Sequence, residues 1–375
     1  MSSRAESNHR PRGRRSLGLT HLRAVDGADR GWQILQGDCL DLLPVLPRES
    51  VHAVICDPPY GIDLPGQRWD GQAIRESAAR TSTGPRLKRN EAFQEWALAW
   101  GEQCLDVLKP GGHLLAFGSP RTYHRLAAGL EDAGFEVSDT LMWGYASGMA
   151  KSRRLPGGKG TLLKPAWEPI LLARKKPEGT IADTVREYGT GALNIDACRI
   201  AERWPANVLL THHERCSEDR CAAGCAVALA DRADRRDEPT APPSRLFFSA
   251  KVSRAEREAG CEQLPARELN LFPNAQDVKT PAAARNPHPT VKPIELMRWL
   301  IRLAAPARGV VLDPFCGSGT TGIAARLEGR LFYGIEQDPS YARVARARIA
   351  HWTTRLPEEA EAAERPLAAK HRRTR

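Results

Sequence analysis

The tetrapeptide Asp57-Pro58-Pro59-Tyr60 combines a carboxylate, a stiffened turn and an aromatic face. An amine conjugated to a ring is a poor nucleophile, because its lone pair is delocalised. The Asp57 carboxylate and the Pro58 carbonyl can accept its two N–H bonds, localising that pair on nitrogen and aiming it at an electrophile. Two successive prolines fix φ, so the acceptors are in place before a substrate arrives. Tyr60 offers a ring on which a planar heterocycle can stack. The competing reading is an ordinary Pro-Pro turn with a capping aspartate.

A second stretch able to do chemistry is Asp313-Pro314-Phe315-Cys316-Gly317-Ser318-Gly319-Thr320. Glycine lets backbone approach a ligand closely, since no Cβ intervenes. A helix opening at this point would direct its positive end at an anionic group. Both stretches need rigid elements to hold them. Residues 51–56 form an apolar run that reads as a buried strand ending at Asp57. Residues 309–312 read as a strand ending at Asp313, with a helix over 321–328. The next apolar run, 331–335, ends in Glu336, at the strand tip where a cofactor ribose would offer its hydroxyls. Asp38 sits at the end of a further short strand that begins at Trp32.

Phe315, Gly317 and Gly319, read as Phe-x-Gly-x-Gly, together with Asp57-Pro58-Pro59-Tyr60, resemble the S-adenosylmethionine-dependent amino-methyltransferases that act on DNA. The tetrapeptide precedes the Gly-rich stretch, as in the circularly permuted beta group of these enzymes. The resemblance runs from Trp32 to Trp352. Three further stretches resemble phage and prophage modification methylases in particular: Lys164-Pro165-Ala166-Trp167-Glu168-Pro169, Tyr188-Gly189-Thr190-Gly191 and His288-Pro289-Thr290-Val291-Lys292-Pro293. It implies a Rossmann-like α/β fold with a doubly wound, mostly parallel sheet, circularly permuted, and an inserted target-recognition region. It also implies S-adenosyl-L-methionine as cofactor, double-stranded DNA as partner, and direct methyl transfer to the exocyclic amine of a flipped-out base.

Carried onto this sequence, the resemblance makes Asp57, Pro58, Pro59 and Tyr60 the expected catalytic residues. It assigns cofactor binding to Asp38, Asp57, Lys292, Asp313, Phe315, Cys316, Gly317, Ser318, Gly319, Thr320 and Glu336. Lys292 is expected to face the methionine carboxylate, with simple capping of the following helix as its competitor. Asp-Pro-Pro-Tyr is more typical of adenine N6 enzymes than of cytosine N4 enzymes, so adenine is expected and cytosine N4 is the alternative. Methylation of RNA or of a protein glutamine, and non-catalytic DNA binding, are competing classes. The permuted order and the basic insert count against the first, and Asp57 counts against the second. Cytosine C5 chemistry needs an attacking thiolate, usually from Pro-Cys, a dipeptide this chain lacks.

The composition is compatible with this reading without requiring it. The 375 residues carry a net charge of +10 and a pI near 9.3, which suits a polyanionic partner. There is no apolar run of about 18 residues, so no membrane span is expected. The Arg-rich N-terminus lacks the apolar core of a secretory signal, which makes a cytoplasmic location the expectation. Nine cysteines, an odd number, argue against a disulfide framework. A homodimer and a separately encoded restriction endonuclease remain open as partners.

The chain divides by composition into a basic tail (1–30), a catalytic half (31–145), an inserted target-recognition region (146–285), a cofactor half (286–352) and a flexible tail (353–375). Residues 61–90 read as a long polar loop, expected to be a mobile flap. Phe93, Trp96, Trp100, Cys104 and Val107 form a helical stripe that belongs in the core. Residues 168–174 are expected to return as a strand at the sheet edge. Lys151, Arg153, Arg154, Lys159 and Lys164 would position phosphates. His213, Cys216, Cys221 and Cys225 could hold a structural zinc, or be reduced cysteines on a small core. Residues 231–243 read as a solvated loop.

Overall fold

The computed structural model describes residues 31–64, 66–81, 87–145, 155–163, 165–199, 204–212, 216, 221–222, 225, 227–228, 248–249, 252–267 and 283–354. The expected N-terminal tail, the C-terminal tail beyond Thr354, the 231–243 loop, His213 and the basic residues Lys151, Arg153, Arg154 and Lys164 lie outside the described residues, and Thr353 closes the last helix.

Short runs rich in Val, Ile, Leu and Ala build a nine-stranded sheet. Its strands are β1 (Trp32–Gln36), β2 (Val51–Cys56), β3 (Leu108–Phe117), β4 (Glu136–Tyr145), β5 (Trp167–Arg174), β6 (Val208–Thr211), β7 (Phe248–Ser249), β8 (Val310–Asp313) and β9 (Leu331–Glu336). Their spatial order is β1-β9-β8-β2-β3-β5-β4-β6-β7. Every pairing is parallel except those of β5, which runs antiparallel to both β3 and β4.

Strands buried on both faces alternate between two cores. Ala53 and Ile55 of β2, with Leu115 and Phe117 of β3, point to the side covered by the Ile294–Ala304, Thr320–Leu327 and Pro339–Thr353 helices. Val54 and Cys56, with Leu114 and Ala116, point to the Arg89–Val107 and Tyr123–Asp132 helices on the other side. The chain-terminal strands β8 and β9 therefore lie inside the sheet, with β8 beside β2. In an open α/β sheet, ligands bind beyond the carboxyl ends of the strands where the winding reverses. Asp57 follows β2 and Pro314 follows β8, so both stretches with chemical potential emerge there.

Two expectations are corrected. The strand expected over 168–174 at the sheet edge is instead β5, enclosed between β3 and β4. Ile170 to Ala173 are almost fully buried, which an edge position would not achieve. The 61–90 segment is not a long loop. It contains a 3-10 turn, Arg68–Asp70, and a helix, Gln72–Thr81, before the next helix opens at Arg89. Ile74 and Ala78 anchor the Gln72–Thr81 helix in the core. Among the described residues no helix is long and apolar enough to cross a membrane.

Candidate active site

The turn after β2 is held from three directions. Asp70, 1% exposed, turns its carboxylate onto four backbone N–H groups. Tyr60 N and Gly61 N donate to Oδ1 at 2.7 and 2.9 Å, and Ile62 N and Leu64 N donate to Oδ2 at 3.2 and 2.9 Å. Thr122 Oγ1 donates to the Tyr60 carbonyl at 2.6 Å. Gly61 has φ of +64°, and a Cβ there would sit 2.7 Å from the Phe93 ring. Tyr60 is thus fixed by its backbone on both sides.

Its hydroxyl enters a cluster of charges. Tyr60 OH lies 2.9 Å from Asp57 Oδ1 and 2.9 Å from Glu168 Oε2. Lys292 Nζ donates to Asp57 Oδ2, lies 3.3 Å from Tyr60 OH and 3.5 Å from Glu168 Oε2. The ammonium also stands 4.8 Å from the centroid of Phe117. Glu168 reaches this position because β5 is antiparallel and enters the sheet at the edge where the parallel strands leave it. Tyr145 OH donates to its other oxygen at 3.2 Å. Burial disfavours the charge on Lys292, but Asp57 and Glu168 outweigh it and hold the ammonium above its ordinary pKa. Burial pushes the Asp57 carboxyl up, against the pull of Lys292. The Tyr60 phenol is driven well up, first by burial and then by Asp57 and Glu168.

The Gly-rich turn after β8 is equally constrained. Asp313 accepts from Phe315 N at 2.9 Å and from Thr321 Oγ1 at 2.6 Å, closing the turn from within. Gly317 adopts φ of +49°, and a Cβ there would lie 2.6 Å from His288 Nε2. Gly319 adopts φ of +79°, and its Cβ would meet Ala345 Cα at 2.9 Å. Arg348, wholly buried, donates to Ser318 O at 2.7 Å, Ser318 Oγ at 3.0 Å and Thr320 Oγ1 at 3.1 Å. Glu336 Oε2 accepts from Gly317 N at 2.8 Å, and Oε1 accepts from Asp338 N at 2.8 Å. Phe315 packs on the core stripe, 5.3 Å from both the Trp96 and Trp100 rings.

These two turns share one cavity of about 870 Å³. Its wall includes Asp38, Asp57, Pro58, Pro59, Tyr60, Glu168, Phe315, Gly317 and Glu336, together with His288 and Tyr341. Asp38 also caps the Cys39–Leu42 helix through Leu40 N and pairs with Arg80 at 3.1 Å. Asp313, Cys316, Ser318, Gly319 and Thr320 stand behind the wall. Asp313, Ser318 and Thr320 are buried with their polar groups already used inside the protein, so they shape the turn. The Lys292 ammonium donates to Asp57 and stands 3.5 Å from Glu168. Pro293, not Lys292, is the cap of the Ile294–Ala304 helix.

A family model described as DNA methylase, of the N6/N4 type, matches residues 51–347. The chain belongs to the N6/N4 DNA methylase family. Type II methyltransferase M.HindIII of Haemophilus influenzae is 24% identical over 355 aligned residues, covering 84% of this chain and 94% of that protein. Type II methyltransferase M.HinfI of the same species is 22% identical, covering 84% of this chain and 67% of its own. The solved structure of PvuII DNA methyltransferase, described as cytosine-N4-specific, superposes with a TM-score of 0.52 at 16% identity. It covers 88% of this chain and 93% of its own.

The methylase thus carries a site assembled from the two ends of a permuted chain. Three of its supporting residues have no counterpart in sequence reasoning. Asp70 is one acid in a polar segment, and nothing in its neighbours announces four backbone partners. Glu168 lay within a quoted motif, and its value follows only from the enclosed antiparallel strand. Arg348 sits on a helix whose other arginines are partly exposed, so its burial has no pattern to betray it.

Among the described residues His212 lies with Cys216, Cys221 and Cys225, all four ligand atoms within 4.8 Å of one another, while the expected ligand His213 lies outside the described residues. Residue 212 directly follows β6.

Proposed function

We propose that this methylase transfers a methyl group from S-adenosyl-L-methionine to the exocyclic amine of a base turned out of double-stranded DNA, adenine N6 in preference to cytosine N4. The single observation that carries the reading is the meeting of Asp57 and Tyr60 with Gly317 and Glu336 around one cavity. A volume of this order suits a nucleoside-sized cofactor with an adjoining base. Gly317 would let the cofactor backbone approach, and Glu336 would accept from ribose hydroxyls. When bound, the cofactor supplies the electrophilic methyl on a sulfonium.

The remaining chemistry belongs to the chain. The Asp57 carboxylate and the Pro58 carbonyl accept the two N–H bonds of the amine, and Tyr60 stacks on the base. Lys292 keeps Asp57 in its accepting, ionised form. After transfer the amine nitrogen bears a proton too many, and the Asp57–Glu168 carboxylates are the bases within reach. Adenine is preferred on the tetrapeptide, since Asp-Pro-Pro-Tyr resembles adenine enzymes more than their Ser-Pro-Pro-Tyr counterparts. The basic charge of the chain suits a DNA partner.

The deciding experiment is transfer from labelled S-adenosylmethionine to unmethylated duplex DNA, with nucleosides identified by mass and Asp57→Ala run in parallel. N6-methyladenine, absent with the variant, is expected. N4-methylcytosine would overturn the choice of base. An unmethylated product from cofactor-loaded protein would overturn the DNA substrate.

A further inference from the structure

The four residues His212, Cys216, Cys221 and Cys225 follow the pattern His-x3-Cys-x4-Cys-x3-Cys. His212 Nδ1 lies 3.3 Å from Cys221 Sγ and 3.6 Å from Cys225 Sγ. In a tetrahedron with Zn–S near 2.3 Å and Zn–N near 2.0–2.1 Å, the N···S edge is about 3.6 Å and the S···S edge about 3.8 Å. One observed N···S separation matches that edge and the other is 0.3 Å shorter, and all four ligand atoms lie within 4.8 Å of one another, close enough for one ion to draw them together. Ala222 N donates to Cys216 Sγ at 3.2 Å, the kind of backbone support that fixes a thiolate ligand from outside its coordination sphere. Cys225 is fully buried, while Cys216 and Cys221 are half-buried.

The cluster's place in the fold gives it a role. Thr211, the last residue of β6, is buried and accepts from Trp143 Nε1 at 2.7 Å, so His212 starts from a fixed point. Strand β6 is parallel to β4 and thus ends on the same edge of the sheet as Asp57. Four strand spacings separate β2 from β6, or about 19 Å at ~4.8 Å each. Among the described residues, the sheet past β6 has only the two-residue β7. A short segment with so little apolar surface needs a staple to hold one conformation.

We propose that His212, Cys216, Cys221 and Cys225 bind one zinc ion tetrahedrally, and that this ion fastens the chain leaving β6 to the sheet edge that carries the active site. All four positions are filled by protein, so no coordination site is open for chemistry and the ion is structural.

The test uses the full chain purified from zinc-supplied cells without added metal. Elemental analysis should find about one zinc per chain, and a mercurial thiol reagent should release it. Cobalt exchanged into the site should show thiolate-to-metal charge transfer and the intense visible bands of tetrahedral coordination. Cys221→Ser and His212→Ala should lower occupancy, whereas His213→Ala should keep it. Verified removal of the ion should lower the melting temperature. A metal-free chain that takes up no cobalt, or a thiol count two short through a disulfide, would overturn the site. Loss of metal in His213→Ala with retention in His212→Ala would overturn the fourth ligand. An unchanged melting temperature after removal would overturn the structural role. None of these readouts depends on methyl transfer, so the proposal stands or falls separately from it.

Discussion

Lys292→Met replaces a buried ammonium with an apolar chain of similar length and leaves Asp57 and Glu168 facing each other without a cation. The side chains of Lys292, Asp57 and Glu168 are only 8%, 17% and 20% exposed, so water compensates little. Opposite charges about 4 Å apart at an effective dielectric near 20 attract by about 4 kcal/mol, within the ~3–5 kcal/mol expected for breaking a buried pair. At ~1.4 kcal/mol per pH unit this is up to about three units. Two uncompensated carboxylates relieve the strain by holding a proton, and a protonated Asp57 no longer accepts from an amine with both lone-pair sets. Removing the cation raises the Asp57 pKa, so the ionised, active form appears only at higher pH. The acidic limb of single-turnover methyl transfer should therefore move upward by about 2–3 units. At neutral pH the rate should fall by about 100-fold and recover partly in alkaline buffer. The assay is transfer from labelled S-adenosylmethionine to unmethylated duplex across pH, with cofactor affinity measured alongside. If the pH profile stays in place and only cofactor affinity suffers, Lys292 faces the cofactor carboxylate after all and the geometric argument fails.

Three further expectations concern the walls of the site. Gly317→Ala should abolish measurable cofactor binding in calorimetry while leaving a folded protein: the left-handed φ costs about 1–2 kcal/mol, and the new Cβ displaces His288 into the cavity. Asp70→Ala, which orphans four N–H groups around Tyr60, should destabilise by about 2–4 kcal/mol in denaturant unfolding. Asp70→Asn, which keeps one good acceptor, should cost less, and equal costs would argue against the cradle. Burial raises Glu336 to about 7, with backbone N–H groups of Asp338 and Gly317 opposing it. A buried acid with a raised pKa binds more protons folded than unfolded, so its contribution to stability is lost as pH rises through about 4.5 to 7. Glu336→Gln should therefore gain on wild type as pH increases, by about 3 kcal/mol at most, in ligand-free melting curves. The difference isolates Glu336 from the buried histidines, whose lowered pKa values act in the opposite direction.

What could be read from the chain was what depends on neighbours in sequence. A strand, a Gly-rich turn and a helix are adjacent segments, so residues 309–328 declare themselves, and the acid at the tip of β9 follows by simple alternation. Asp57 and Tyr60 are legible because two prolines between them have few other uses. The supports are non-local. Glu168 acts on Tyr60 across 108 positions and Lys292 on Asp57 across 235. Those pairings exist only once β5 is threaded antiparallel between β3 and β4 and β8 is laid beside β2. A Lys-Pro before a helix looks the same whether or not the ammonium reaches a carboxylate, and only strand order brings Lys292 to Asp57. The 61–90 segment failed for a different reason: Ile74 and Ala78 are too few apolar residues to show a helical period, yet they suffice to seat a helix.

The permuted order has a physical consequence for how the site forms. Parallel β8 and β2 are neighbours in space but lie more than two hundred residues apart in the chain, so their pairing carries a large loop-closure cost. Val310 N donates to His52 Nδ1 at 3.0 Å, a contact that joins the two halves at the opposite end from the chemistry. At the working end the joint is ionic, between Lys292 of the later half and Asp57 of the earlier one. Buried ion pairs add little net stability, because desolvation cancels most of their attraction. What such a pair does well is punish misplacement: an ammonium carried out of position leaves two buried carboxylates without a cation. The Lys292 ammonium, which opposes the effect of burial on the Asp57 carboxyl, thus also depends on correct assembly of the halves. A chain in which the halves dock imperfectly loses its acceptor before it loses its fold.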